Sequence, residues 1–232
     1  MDIDRYKAVR KKHGLHSSWA IWAEETDTPK SNMEDISFFD DESIVEQLNP
    51  SNILVGLNIS GYTPKSFENF HGKGGGAFKI RYATKDTLLW GAYLTDIIKD
   101  YPEMESGNVM KYLRNNKDFV KKNIVSFEEE IKDIGADNPT LYAFGNDTFS
   151  ILDEYLGDKF SIKKLMHYSH YISKEKYREH VLEEIGKKRL NPETGKLFKR
   201  GDVLQDGVIF HSYRTGDGHN GELWLTPYKK SK

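Results

Sequence analysis

Three short apolar runs, at residues 52–57, 140–144 and 161–166, each end in a polar cluster: Asn58-Ile59-Ser60, Gly145-Asn146-Asp147 and His167-Tyr168-Ser169-His170. An amide such as Asn58 cannot act as a base near neutral pH, but it can hold and orient a water. A neutral imidazole such as His167 can donate a hydrogen bond to an oxygen on which charge builds. A carboxylate such as Asp96, which follows the apolar run at 88–95, only accepts hydrogen bonds unless it is protonated. The chain has no cysteine, which excludes disulfides, thiolate zinc sites, iron–sulfur clusters and a cysteine nucleophile. The stretch His71-Gly-Lys-Gly-Gly-Gly76 has neither the glycine spacing nor the Lys-Ser/Thr pair of a triphosphate loop. Lys73, Lys79 and Arg81 around it are candidates for phosphate contact, or simply solvated. The histidines, His167 and His170 included, lack the carboxylate pattern of a metal site, so neither metal nor cofactor is expected.

The elements that must position these groups follow from periodicity. A chain of 232 residues with 37% hydrophobic and 12% aromatic residues suffices for one full core and a small appendage. Tyr6, Val9, Leu15, Trp19 and Trp22 can share one face of a helix covering the first twenty-odd residues. The run at 52–59 is β-branched and does not alternate, as a strand buried on both faces should be. Amphipathic patterns predict helices at 108–113 and 118–134, the latter with Glu128, Glu129 and Glu130 on a solvated face. A third helix is expected from Asp147 to Tyr155. Alternating strands and helices imply an α/β fold: a three-layer α/β/α domain with a mainly parallel central sheet. Ligands of such sheets bind beyond the carboxyl ends of the strands, so the three polar clusters should converge.

Residues 1–185 are expected to form that domain. Residues 186–232 hold ten Lys/Arg against five Asp/Glu, with short strand patterns at 203–204, 208–213 and 222–225 between Asp-Gly turns. They read as a small basic β appendage, suited to phosphate contact or equally to being a solvated extension. No apolar run reaches the ~18 residues that span a bilayer, and the charged amino terminus lacks a signal segment. A soluble, cytoplasmic, monomeric protein is expected.

Taken in order, the motifs resemble those of the uracil-DNA glycosylase superfamily. Val55-Gly56-Leu57-Asn58-Ile59-Ser60 is similar to its first motif, a buried strand ending in a Gly-x-[Asp/Asn/Glu]-Pro-like turn. The segment at 92–99 resembles the Tyr-Ile-Thr-Asn-x-Val-Lys motif of bacterial members that carry an iron–sulfur cluster. Residues 142–147 are similar to their strand–Gly–helix connection, and His167-Tyr168-Ser169 stands where the family has His-Pro-Ser. The likeness spans roughly residues 50–172, without the cluster cysteines.

The resemblance implies that DNA is the partner and that a base is flipped out and cut from its sugar. On this reading Asn58 positions the water and His167 donates to the carbonyl oxygen of the leaving pyrimidine. Gly56, Leu57 and Ile59 line the base site, Phe70 stacks on the base with Tyr62 and Phe67 as alternatives, and Ser60, Ser169 and Tyr171 meet DNA, Tyr171 as a wedge. Tyr168 in place of proline questions how rigid that loop is. Asp96 replaces the family's Asn. Ionised, it suits an exocyclic amine and repels the uracil O4, which implies a cytosine-type, modified base and fits defence against phage DNA. Alternatively Asp96 caps a helix beginning at Ile97, and Asn58 merely satisfies a strand-end turn. Four functions follow: a glycosylase acting on a modified base, a uracil-excision repair enzyme, a non-catalytic module that binds DNA or a base, or a glycosidase acting on free nucleosides or nucleotides.

Overall fold

The computed structural model describes residues 1–61 and 64–186, together with the backbone of two further strands at 208–214 and 220–227. Five strands form one sheet: β1 (Ser17–Trp19), β2 (Asn49–Asn58), β3 (Ala92–Ile98), β4 (Thr140–Phe144) and β5 (Ser161–Leu165), in the order β1-β3-β2-β4-β5. β2 through β5 run parallel, and β1 pairs antiparallel with β3 at one edge. β2 is therefore central, and its residues 52–57 are buried on both faces, as its unbroken apolar run requires.

Helices cover both faces. Ile53, Val55 and Leu57 of β2 and Leu141 of β4 pack with α1 (Ile3–His13), α3 (Ser106–Asn115), α4 (Lys117–Asp133) and α5 (Gly145–Leu156). Leu54, Leu94, Tyr142 and Phe144 face α2 (Ala77–Thr84) and α6 (Lys174–Gly186) instead. The result is the expected α/β class with a mixed, mostly parallel sheet. Among the described residues, no helix is long and apolar enough to cross a membrane. Beyond it, β6 (Val208–Arg214) and β7 (Asn220–Pro227) form an antiparallel pair; the strand expected at 203–204 lies outside the described residues.

Three elements differ from expectation. The first helix starts where the Asp2 side chain accepts from the Arg5 N–H (2.8 Å) and ends at His13, rather than running through Trp22. Residues 17–19 leave it to become β1, because Trp19 gains complete burial against the Tyr93 ring, 4.8 Å away, by pairing with β3. The strand expected at 88–95 begins later, at Ala92. Gly91 turns the chain at φ 77°, with its Cα so close to the Gln47 carbonyl that no side chain fits. The helix cap proposed for Asp96 does not exist, since Asp96 and Ile97 both lie inside β3.

A further difference is Glu130. It is 1% exposed, not solvated. Its carboxylate pairs with the Lys99 ammonium at 2.6 Å and accepts from Tyr93 Oη (2.7 Å) and Thr95 Oγ1 (2.9 Å). Lys99 also donates to the backbone oxygen of Asp96 at 2.6 Å. A buried charge stripped of its partner is strongly destabilising. Glu130→Leu should therefore lower stability by about 3–5 kcal/mol, read as the shift in a urea unfolding midpoint, whereas Glu129→Leu on the same helix should change it little.

Candidate functional site

The site is built at the carboxyl ends of the parallel strands. Gly56 of β2 and Asp96 of β3 are register partners, and both face the α2/α6 side of the sheet. A Cβ at position 56 would collide with Asp96 Oδ1 and lie 3.5 Å from Phe70 Cζ. Glycine thus leaves room for one carboxylate oxygen and one aromatic ring to meet over the central strand. Asp96 is 4% exposed. Its other oxygen, Oδ2, accepts from Asn69 Nδ2 at 3.0 Å.

Phe70 sits at φ 67°, an uncommon conformation for a bulky residue and a mark of local strain. Its ring is 6.4 Å from Phe144 and 6.2 Å from Tyr168. Tyr168 packs edge-on against Phe144 at 5.1 Å and is stacked under His167 at 4.5 Å. Phe70, Phe144 and Tyr168 therefore form an aromatic wall beside the buried carboxyl. Phe67, the alternative stacking residue, is fully buried in the core, and Tyr62 lies outside the described residues.

His167 stands over Gly145, whose φ of 86° turns β4 into α5. Its Nδ1 lies 3.2 Å from the Ser169 backbone N–H, which can only donate. Nδ1 must then carry the lone pair, and a neutral ring carries its proton on Nε2. Ser169 Oγ, 2.7 Å from the same Nδ1, adds a second donor. His167 is exposed, yet desolvation by its neighbours lowers its pKa from the ordinary value and favours the neutral ring. Ser169, expected to meet phosphate, thus also sets the proton on His167.

The loop after β5 is anchored by packing in place of a proline. Lys79 Nζ donates to the His170 carbonyl at 2.7 Å, His180 Nε2 accepts from the Met166 N–H at 2.8 Å, and Gly76 brings the start of α2 against the Tyr168 carbonyl. Lys79 is therefore structural. So is Arg81, whose guanidinium donates to the carbonyls of Ala23, Pro29 and Ser31; Lys73 is exposed and pairs with Glu34. Tyr171, at 101% exposure, projects from this loop.

The remaining expected residues are less available. Asn58 Nδ2 donates to the carbonyls of Ile59 (2.9 Å), Tyr101 (3.3 Å) and Glu103 (2.8 Å), fixing the chain that follows β3. A water held by this amide would have to donate to Oδ1, which is the polarity a nucleophilic water needs. Leu57 and Ile59 do not offer side chains to a base, because both are core residues. The Ile59 N–H and carbonyl are also spent, on Ile98 and Glu103. Ser60 is exposed at the end of β2. Asn58 ends β2 and His167 follows β5, two strands separated by β4 alone and so lying about 10 Å from each other.

A separate cavity of about 380 Å³ lies beside α2, lined by Trp22, Tyr82 and Trp90 among others. Two of its three cations are engaged: Arg81 as above, and Lys174 with Glu25 at 3.3 Å and over the Tyr82 ring; the third is Lys85. Comparison of the chain with family models, with curated proteins and with solved structures finds no match. What the site does must be argued from its own groups.

Burial pushes the Asp96 carboxyl up to about 6, against the lowering effects of the Asn69 hydrogen bond and Lys99. Tyr168 is raised by burial and by the nearby Asp96 charge. A carboxyl with a folded pKa of about 6 and an unfolded one near 3.8 binds more protons when folded. Stability is then lost as pH rises from about 4 to about 6, and the cost stays constant above that. It amounts to about 3 kcal/mol at neutral pH. Asp96→Asn should thus stabilise the protein by up to that amount at pH 8 and leave it unchanged near pH 4, measured by chemical unfolding at both pH values.

Proposed function

We propose that the protein is a DNA glycosylase that binds a flipped, amino-bearing, cytosine-type base and hydrolyses its bond to the sugar. The observation that carries this reading is the buried Asp96 carboxyl beside Gly56, kept at a cost in stability and walled by Phe70 and Tyr168. Strongly shifted buried groups at the strand ends of such a sheet mark functional sites.

The chemistry divides simply. Water attacks C1′ of the sugar as the C1′–N bond breaks, and the electron pair leaves with the base. The base is then protonated, and the proton lost by the water goes to solvent. Charge builds on the pyrimidine carbonyl oxygen, where the His167 Nε2–H of the tautomer set by Ser169 can donate. Phe70 offers its face to the extruded ring, and Asp96 Oδ1 accepts from an exocyclic amine. Tyr171 is available to fill the gap left in the duplex. Uracil presents O4 where the amine would be, and an ionised Asp96 rejects it. A substituent that distinguishes the target from ordinary cytosine fits a role against modified phage DNA.

One observation favours a second reading. Asn58 commits its amide nitrogen to three carbonyls, and no carboxylate stands in its place to activate water. A module that holds a flipped base without cutting would need no more than this.

Incubation with oligonucleotides carrying uracil, cytosine or 5-substituted cytosines, followed by alkali, separates these readings. Strand breaks should appear at a 5-substituted cytosine and exceed those at uracil. His167→Ala should slow them by about 10²–10³-fold. The rate should fall on the acid side of about pH 6, as Asp96 takes up its proton. Faster cleavage at plain uracil would contradict the base assignment, and tight binding without breaks would favour the second reading.

A further inference from the structure

The side chain of Asn69 has a role that goes beyond holding its loop. Its Nδ2 donates to the His16 carbonyl and to Asp96 Oδ2, both at 3.0 Å, while its Oδ1 accepts from the Phe70 N–H at 3.1 Å. The amide cannot be turned over, because Oδ1 would then face a carbonyl and a carboxylate while the NH₂ group faced an N–H. One residue therefore joins the stacking ring to the carboxyl that reads the base edge. We propose that Asn69 determines base preference at this site, by holding Asp96 ionised with Oδ1 kept over Gly56 as an acceptor. This rests on the base-binding reading above and names what sets its specificity.

The surroundings leave this task to few groups. Desolvation on the sheet face favours the protonated acid. Tyr168, from the loop after β5, adds a hydroxyl but no positive charge near neutral pH. On the far side of β3, Lys99 donates to the Asp96 backbone oxygen, and its charge is offset by Glu130 at 2.6 Å. Asn69 is, among the described residues, the side chain that donates to the carboxylate itself.

An Asp at position 69 reverses the arrangement. It faces the same two acceptors with at most one proton, so the two carboxyls must share a proton and titrate as a pair. Asp96 then spends much of its time as a donor, which suits the O4 of uracil. Removal of the amide in Asn69→Ala takes away the donor without adding charge and should move Asp96 in the same direction by less.

The test reads proton and preference separately. ¹³C-carboxyl NMR of Asp-labelled protein follows Asp96, whose resonance is identified by its loss in Asp96→Asn. In Asn69→Asp its midpoint should rise by at least one pH unit. Binding at pH 7.5 to oligonucleotides with 5-hydroxymethylcytosine or uracil, measured by fluorescence anisotropy, needs no turnover. The ratio of the two dissociation constants should move at least tenfold toward uracil in Asn69→Asp, and less in Asn69→Ala. An Asp96 midpoint unmoved in both variants overturns the proposal, as does a moved midpoint with an unchanged binding ratio. Binding that behaves as described in a protein that cuts no oligonucleotide leaves the Asn69 assignment standing and removes the catalytic reading alone.

Discussion

Burial of a carboxyl group on the face of a parallel sheet is the constraint around which the rest of the site is arranged. Asp96 lies in the interior of β3, beside the central strand, where an apolar side chain would pack at less cost. Keeping it there requires Gly56 as its neighbour, since any side chain on β2 would collide with Oδ1. It also requires a donor for Oδ2, which Asn69 supplies from a loop whose backbone is bent into positive φ at both Phe67 and Phe70. That bend places the Phe70 ring over the same glycine.

The two faces of the sheet are tied through β3. Glu130 and Lys99 form a buried pair among the α1, α3, α4 and α5 side chains, and Lys99 reaches back to the Asp96 backbone. Buried polar groups of this sort contribute little net stability compared with apolar residues of the same size. Here the pair is tied to the end of β3 through the Lys99 bond to the Asp96 carbonyl. On the other edge, Lys79, Gly76 and His180 secure the loop that carries His167, and the ring is presented in one tautomer without any partner carboxylate.

The architecture was legible where apolar runs were long and unambiguous. β2, β4, α4 and α5 fall where periodicity puts them, since a doubly buried strand and an amphipathic helix leave distinct patterns. β1 was not, because three residues cannot show an alternation and Trp19 fits a helical face as well as a strand. The same limit applies to Ile97, where strand continuation and helix start look alike. In the site, Asp96 and His167 were readable as polar residues at or after strand ends, whereas Gly56 and Phe70, the latter in the loop after β2, were reached through the family resemblance. Asn69 was missed, although it precedes the chosen Phe70; an amide in a polar loop carries no periodic signal, and its partners His16 and Asp96 are 53 and 27 residues away. Lys79 and Arg81 illustrate the converse, cations whose local sequence suggests phosphate but whose side chains are consumed by distant carbonyls.

The central claim is that the Phe70 ring and the Asp96 carboxyl together receive a single base. Its most direct test is a crystal structure of the His167→Ala protein with an oligonucleotide containing a 5-substituted cytosine. The account predicts the base outside the helix, its ring against Phe70 and its exocyclic nitrogen about 3 Å from Asp96 Oδ1. A base still stacked in the duplex, with Phe70 and Asp96 packed over Gly56 as they are in the free protein, would contradict it.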